Sequence, residues 1–326
     1  MPAPIRIGLA GVGHLGTIHL RNLLKIPEVT VSGVFDVDPE RRARARQAFD
    51  VPAFDSFDAL LAHSDAVDIV TPTTSHYVLA RQALEAGRHV FIEKPVTETV
   101  EEARRLLDLA HQAERIVQVG HVERFNPAVR AVIERHPLRP RYLEAHRLTP
   151  FGGRGTDVSV VLDLMIHDID LALWWTDSPV KEIRARGVAV MTALPDIASA
   201  RIEFENGAVA NLTASRISLK KERKVRLFQH SQYVSLDLLH HKAALYQLVD
   251  DTPEARTRHP LHRPMGHRLV VAEFPEVPQL NAIQEELRTF ARAIQQHTPP
   301  PVTLSEAYHS LKIAHEVMEE VLAHLD

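Results

Sequence analysis

The stretch Ile5 to Gly16, IRIGLAGVGHLG, limits what this chain can fold into more than any other. Ile5, Ile7 and Leu9 lead into Gly11, Gly13 and Gly16, and a helical segment follows from about Thr17 to Lys25. Strand, glycine turn and helix is the context in which G-x-G-x-x-G acquires a physical meaning. Gly11 allows a tight turn, Gly13 lets the backbone approach a pyrophosphate, and Gly16 lets helix and strand pack closely. Gly11, Val12, Gly13, His14, Leu15 and Gly16 would then form a dinucleotide loop. The helix start would offer unpaired N–H groups and a partial positive charge to the phosphates.

A second mark supports the first. Val29 to Phe35, VTVSGVF, reads as a strand ending at Asp36, 20 residues after Gly16. An acid there accepts from the ribose hydroxyls of an adenosine and repels a 2′-phosphate, which favours NAD over NADP. Arg41 and Arg42 follow closely and would soften that preference. The plainer reading is a glycine-rich turn followed by an ordinary loop aspartate.

Composition sets outer bounds. At 326 residues the chain has room for two domains with substantial cores. Apolar residues at 45% and charged residues at 25% are those of a soluble globular protein. A net charge of −4 argues against a nucleic-acid or anionic-membrane partner. No apolar run approaches the roughly 20 residues of a membrane span, and the N-terminus lacks a signal-peptide pattern. There is no cysteine, so disulfides, thiolate catalysis and cysteine metal sites are excluded. A cytoplasmic enzyme is the expectation. Only eight lysines occur, so a lysine beside an apolar strand stands out.

Beyond Asp36, helices are expected at Pro39 to Phe49, Phe57 to His63, His76 to Ala86 and Val100 to Ala113. Strands are expected at Ala66 to Val70, His89 to Ile92 and Ile116 to Val119. This alternation implies an α/β fold, an N-terminal Rossmann domain with a doubly wound parallel sheet over residues 1–121. From residue 122 to 326 the texture changes to a C-terminal α+β domain. It holds a helix from Asn126 to Glu134 and a strand from Arg141 to Arg147. A glycine-rich loop at Thr149 to Thr156 precedes a long helix from Asp157 to Trp175. From Val180 to about Leu248 hairpin-linked strands suggest an open, mostly antiparallel sheet, with a hairpin about Asn206-Gly207. Asp251 to Arg268 reads as an extended surface loop. Helices at Asn281 to Gln296 and Leu304 to Leu325 close the chain.

Three constellations carry chemistry. Thr71-Pro72-Thr73-Thr74-Ser75-His76 follows a strand, where ligands of open parallel sheets bind. Thr71, Pro72, Thr73 and His76 would line the cofactor; a capped turn is the plainer reading. Glu93-Lys94-Pro95 follows the apolar strand HVFI, where a charged pair is awkward unless it opens into a site. A constrained or cis Lys94–Pro95 peptide would fix where the ammonium points; a surface ion pair is the alternative. In the helix DVSVVLDLMIHDIDLALWW, Asp163 and His167 are four apart on one face, with Asp170 three further on. Burying them in so apolar a helix is costly without a partner or a purpose. A self-satisfied core pair, a histidine poised by Asp163 as a general base, and a two-ligand metal site all fit. The last lacks an obvious third ligand, so no metal is expected.

Together these residues resemble the glucose–fructose oxidoreductase / inositol dehydrogenase (Gfo/Idh/MocA) family. The glycine turn at Gly11 to Gly16, Thr71 to His76, Glu93-Lys94-Pro95, Asp163 to His167 and the Glu205-Asn206-Gly207 hairpin carry the likeness. The resemblance implies an NAD(P)-dependent dehydrogenase acting on a carbon that bears a hydroxyl, usually on a sugar or cyclitol. It implies Lys94 and His167 as the proton-handling pair, with Asp163 as their polar partner, and Glu93 beside Lys94 in the nicotinamide region. Val119 to Pro127 and Asp157 to Asp170 are most similar to the UDP-N-acetylglucosamine 3-dehydrogenase branch. That likeness implies a nucleotide-sugar substrate touching Lys94, Arg124, Asn126, Arg154, Asp163 and His167, with Arg147 a further anion contact. Neutral-sugar or cyclitol dehydrogenases and non-catalytic NAD-binding regulators of the same family remain alternatives. The resemblance also implies a homodimer or homotetramer.

Overall fold

The computed structural model of the protein describes residues 3–152 and 158–325. Its chain divides into two compact units. The first comprises Met1–Val122 and Leu280–Lys312; the second comprises Glu123–Gln279 and Ile313–Asp326. The boundary after Val122 lies one residue from the expected one. Leu280–Lys312, expected in the second domain, folds with the first.

In the first unit, β1 (Ile5–Ala10), α1 (His14–Leu23), β2 (Val29–Phe35), α2 (Pro39–Phe49) and α3 (Phe57–Ala62) follow in order. Then come β3 (Ala66–Ile69), α4 (His76–Glu85), β4 (His89–Glu93), α5 (Val100–Ala113) and β5 (Val117–Gly120). The five strands form one parallel sheet in the order β2-β1-β3-β4-β5. Helix starts follow from side-chain chemistry. Asp38 caps α2 by accepting from Glu40 and Arg41 N–H, with Pro39 in the first turn. Thr99 and Glu102 form a capping box at α5. Ile7, Leu23, Ala66 and Phe91 are buried against Leu287 and Phe290 of α9 (Ala282–Gln296). The strongly amphipathic α9 thus packs beside α1 against the same face of the sheet, which is why the late segment joins this unit.

The second unit holds α6 (Pro127–Ile133), β6 (Tyr142–Leu148), a π-helical turn at Val161–Met165 and α7 (Ile166–Thr176). Strands β7 (Val180–Val188), β8 (Ile197–Phe204), β9 (Val209–Ser215), β10 (Glu222–Gln229), β11 (Gln232–Asp237) and β12 (Lys242–Asp250) follow. They are joined by α8 (Pro253–Arg258), β13 (His262–Met265) and β14 (Arg268–Glu273). A final helix, α10 (Leu304–Leu322), runs across the division between Lys312 and Ile313. The nine strands form one sheet in the order β13-β14-β12-β11-β10-β6-β9-β8-β7. Every pair is antiparallel except β6 with β9. The hairpin about Asn206-Gly207 is present, with Gly207 at φ +79°. Asp251 to Arg268 is not a plain loop: it holds α8 and β13 and leads into β14. One side of the sheet carries a row of aromatic contacts from Tyr142 through Phe228, Tyr233 and Tyr246 to Phe274.

A buried charge network ties this unit together. Arg147 of β6 makes two bonds to Asp168 of α7, at 2.9 and 2.8 Å, and one of 2.8 Å to Glu123. Burial opposes the Arg147 charge, but Asp168 and Glu123 outweigh it and hold the guanidinium above its ordinary range. Breaking a buried pair by removing one partner typically costs about 3–5 kcal/mol, because the remaining charge is uncompensated. Arg147→Met should therefore lower the unfolding free energy by an amount in that range, and the urea midpoint with it, measured by circular dichroism. A midpoint equal to that of the unaltered protein would contradict the network.

Candidate active site

The glycine turn is built by sterics at two positions and by open space at the third. Gly11 has φ +92°, and a Cβ there would lie 2.7 Å from the Val70 carbonyl oxygen. A Cβ at Gly16 would lie 1.9 Å from the Gly11 carbonyl oxygen, so α1 cannot sit where it does with any other residue. A Cβ at Gly13 would come no closer than 3.8 Å to anything, the nearest atom being an Arg41 guanidinium nitrogen. Gly13 is the N-cap of α1 and provides no side-chain cap, while His14 and Leu15 are exposed at the helix start. The first-turn N–H groups thus face a surface that a pyrophosphate can reach. This is the cradle a dinucleotide requires, and the residues fit one.

Asp36 completes that cradle. Its carboxylate is buried and accepts from Val12 N–H and from Asp38 N–H, each at 2.9 Å. Each oxygen retains a lone pair for a ribose hydroxyl. Arg42 is turned to Asp55 and to the Asp36 carbonyl, and Arg41 pairs with Asp38. Neither guanidinium forms an ion pair with the Asp36 carboxylate itself among the described residues.

The turn after β3 has a different role from the one expected for its histidine. Thr73–Ser75 forms a short 3₁₀ turn, and Ser75 Oγ donates to Thr71 Oγ1 and the Pro72 carbonyl. His76 is buried, and its ring nitrogens lie 2.9 Å from the Pro95 and Thr71 carbonyl oxygens. Burial holds its pKa below the ordinary value. His76 therefore ties the Thr71 turn to the Glu93-Lys94-Pro95 turn, and its ring is used up by backbone rather than offered to a cofactor. Thr71, Pro72 and Thr73 sit at the C-terminal end of β3, where the expectation placed them.

Lys94 follows β4 directly, and the Lys94–Pro95 peptide is cis. The Glu93 carboxylate points into the fold. It accepts from the Lys94 N–H at 3.1 Å and lies 3.1 Å from His19 Nε2. Gly120 of β5 leaves it room, since a Cβ there would sit 2.7 Å from Glu93 Oε1. Glu93 thus supports the turn that presents Lys94 and is not itself directed at a cofactor.

In the second unit, Asp163 lies within the π-helical turn and His167 within the first turn of α7; both are half-buried. A π turn widens the helix locally and is frequent at functional sites. Asp170 does not join them: it is buried in a two-bond pair with Arg124, at 2.8 and 2.7 Å. The Arg124 guanidinium also lies over the Trp174 ring. That pair corrects Arg124 as an open anion contact, and the Asp168 pair does the same for Arg147. Asn126 is likewise structural: it caps α6 through Ala128 N–H and donates to Glu123 and the Leu238 carbonyl. Arg154 lies outside the described residues.

Sequence reasoning overlooked His19, Asp68, Glu123 and Asp168. A usable signal was present in two of them. Asp68 is an acid inside the apolar strand AVDIV, and His19 falls on the inward face of α1 between Gly16 and Leu20.

Comparisons with known proteins give the family and the fold. A model described as "Oxidoreductase family, NAD-binding Rossmann fold" matches residues 5–121, and a Gfo/Idh/MocA C-terminal domain model matches residues 129–230. The chain belongs to the Gfo/Idh/MocA oxidoreductase family. It is an NAD-binding dehydrogenase by that membership. A curated UDP-N-acetylglucosamine 3-dehydrogenase from Acidithiobacillus ferrooxidans is 39% identical over 295 residues, 90% of each chain. A crystal form of the enzyme of that name and organism superposes with TM-score 0.89 at 36% identity, covering 99% of both chains. A scyllo-inositol 2-dehydrogenase (NAD(+)) from Bacillus subtilis is 28% identical over 242 residues, 67% of this chain and 69% of that one.

The glycine geometry separates two substitutions. Gly13→Ala should fold with little change in melting temperature, yet weaken NAD by at least tenfold by filling the cradle. Gly16→Ala should destabilise the fold itself. Thermal melts and calorimetric titration with NAD⁺ check this; a Gly13→Ala variant with undiminished NAD affinity would place the pyrophosphate elsewhere.

Proposed function

We propose that the protein oxidises the 3-hydroxyl of UDP-N-acetylglucosamine, with NAD as hydride acceptor. The observation that carries the reading is full-length similarity to an enzyme of that name, over 90% of both chains. The sequence retains Lys94, Asp163 and His167 of the E-K-P and D-x-x-x-H patterns, which supports a catalytic reading over a non-catalytic regulator.

When bound, NAD supplies a nicotinamide ring that takes up a hydride. The chain's own residues do the rest. The carbon loses its hydride and the hydroxyl its proton, so a ketone results without a free alkoxide. Lys94 and His167 handle that proton. Asp163, four residues before His167, orients the imidazole and the substrate hydroxyls. A well-placed proton acceptor of this kind contributes about 10²–10⁴ in rate. Arg124 and Arg147 are bonded to Asp170 and Asp168, so Arg154 is our assignment for the diphosphate contact.

Absorbance at the NADH band should rise when the protein and NAD⁺ meet UDP-N-acetylglucosamine, and stay flat with glucose. Lys94→Ala should keep NAD affinity and lose at least a hundredfold in kcat, within the range of the proton-transfer contribution. Arg154→Ala should raise KM for the nucleotide sugar alone. Turnover of myo-inositol with none of UDP-N-acetylglucosamine would instead favour the cyclitol reading.

A further inference from the structure

The densest group of buried ionisable side chains in the first unit lies beneath the glycine turn, outside the positions the proposed chemistry uses. His19 projects from α1 and is fully buried. Its Nδ1 hydrogen-bonds Asp68 Oδ2 on β3 at 2.9 Å, and its Nε2 stands at an ion-pair distance of 3.1 Å from Glu93 Oε1 at the end of β4, out of hydrogen-bond alignment. Glu286 of α9 brings a further carboxylate, and donor atoms of His19, Glu93 and Glu286 all lie within 4.8 Å of one another. The His19 ring also meets Phe91 edge-on at 5.9 Å between centroids. Burying three carboxylates around one imidazole is costly unless the ring carries charge. Asp68 and Glu93 outweigh desolvation and hold the His19 pKa well above its ordinary value. Glu93, facing His19 and the Lys94 N–H, is held below the usual carboxylate range against the effect of burial.

The connectivity gives this charge a task. α1 begins at the glycine turn, five residues before His19. Glu93 Oε2 receives the Lys94 N–H, and the missing side chain at Gly120 leaves the carboxylate its place beside β5. We propose that His19 is a positioning residue: its Nε2 arm clamps Glu93, and through Glu93 the backbone that carries Lys94, to the helix that holds the cofactor phosphates. The Nδ1 arm to Asp68 anchors the ring. The inference rests on Lys94 handling the reacting proton.

The two arms can be separated by amide isosteres. Asn places its amide nitrogen near the position of Nδ1, and Gln places its amide nitrogen near that of Nε2. His19→Gln keeps the Glu93 arm and loses the anchor; His19→Asn does the reverse. On the full chain with NAD⁺ and UDP-N-acetylglucosamine, His19→Asn should lose about thirtyfold in kcat and His19→Gln about threefold, roughly 2.0 and 0.65 kcal/mol at 1.36 kcal/mol per decade. KM and NAD affinity should change little in both, because the clamp acts on the Lys94 backbone and not on ligand contacts. A merely structural histidine gives the opposite order, since the ring's aligned, fully buried hydrogen bond is the one to Asp68. Equal turnover in the two variants, or a greater loss in His19→Gln, overturns the proposal. So does a stoichiometric metal ion in the purified protein, which would replace the proton that charges His19.

Two measurements keep the question open to failure. If neither His19 variant folds, Glu93→Gln retains the His19–Asp68 anchor and should still lose at least tenfold in kcat; unchanged turnover contradicts the clamp. If the unaltered protein does not turn over UDP-N-acetylglucosamine, that result counts against the proposed substrate. The clamp is then read from ¹³C-dimethylated lysines, with the Lys94 resonance assigned by Lys94→Arg. His19→Asn should shift that resonance and His19→Gln should leave it near its original place. No shift in His19→Asn overturns the clamp.

Discussion

The bond from Val12 N–H to the Asp36 carboxylate is the interaction on which the first unit's function depends. It joins the turn after β1 to the end of β2, and both oxygens of Asp36 are held by backbone donors. The turn can close that tightly only because Gly11 and Gly16 lack side chains. One carboxylate thereby fixes the loop's shape and presents a negative charge where a 2′-phosphate would arrive. Loop geometry and cofactor preference follow from the same group, so neither can be altered alone.

Charge is handled in two ways in this protein. In the second unit, Arg124 and Arg147 are buried and matched to Asp170 and Asp168 by paired bonds. These are frameworks: planar guanidinium against carboxylate, with few remaining donors. Beneath the glycine turn the arrangement is less balanced, with a single imidazole serving Asp68 and Glu93. An excess of buried carboxylate there is tolerable because the His19 proton is retained, and the linkage sign follows. A group whose folded pKa is raised contributes fully below its unfolded pKa and is lost as pH rises through the folded value. His19 thus contributes fully below its ordinary pKa, and the contribution is lost as pH rises through its raised folded value.

Much of this architecture was legible in the amino-acid sequence, for identifiable reasons. The expected bounds of α2 and α5 match the structure, where Asp38 with Pro39 and Thr99 with Glu102 fix the helix starts by local chemistry. The π turn around Asp163 was not legible, because a helix apolar on nearly all sides carries no phase from which a widened turn could be read. Asp251 to Arg268 was read as loop because its polar residues mask α8 and the edge strand β13, which only pairing with β14 stabilises. The arginines were the least legible. Arg147 and Arg124 look like anion contacts until their partners, 21 and 46 residues away in the chain, are brought against them. His76 is similar: its ring nitrogens face the Thr71 and Pro95 carbonyls, which no sequence pattern marks.

We propose that the Gly11–Gly16 turn and Asp36 form the NAD site, with the carboxylate discriminating against a 2′-phosphate. Calorimetric titration of the same preparation with NAD⁺ and with NADP⁺ tests it most directly. NAD⁺ should bind one per chain, with NADP⁺ at least tenfold weaker and the gap narrowed in Asp36→Ser. NADP⁺ binding as tightly as NAD⁺, or an Asp36→Ser variant with an unchanged ratio, would contradict it.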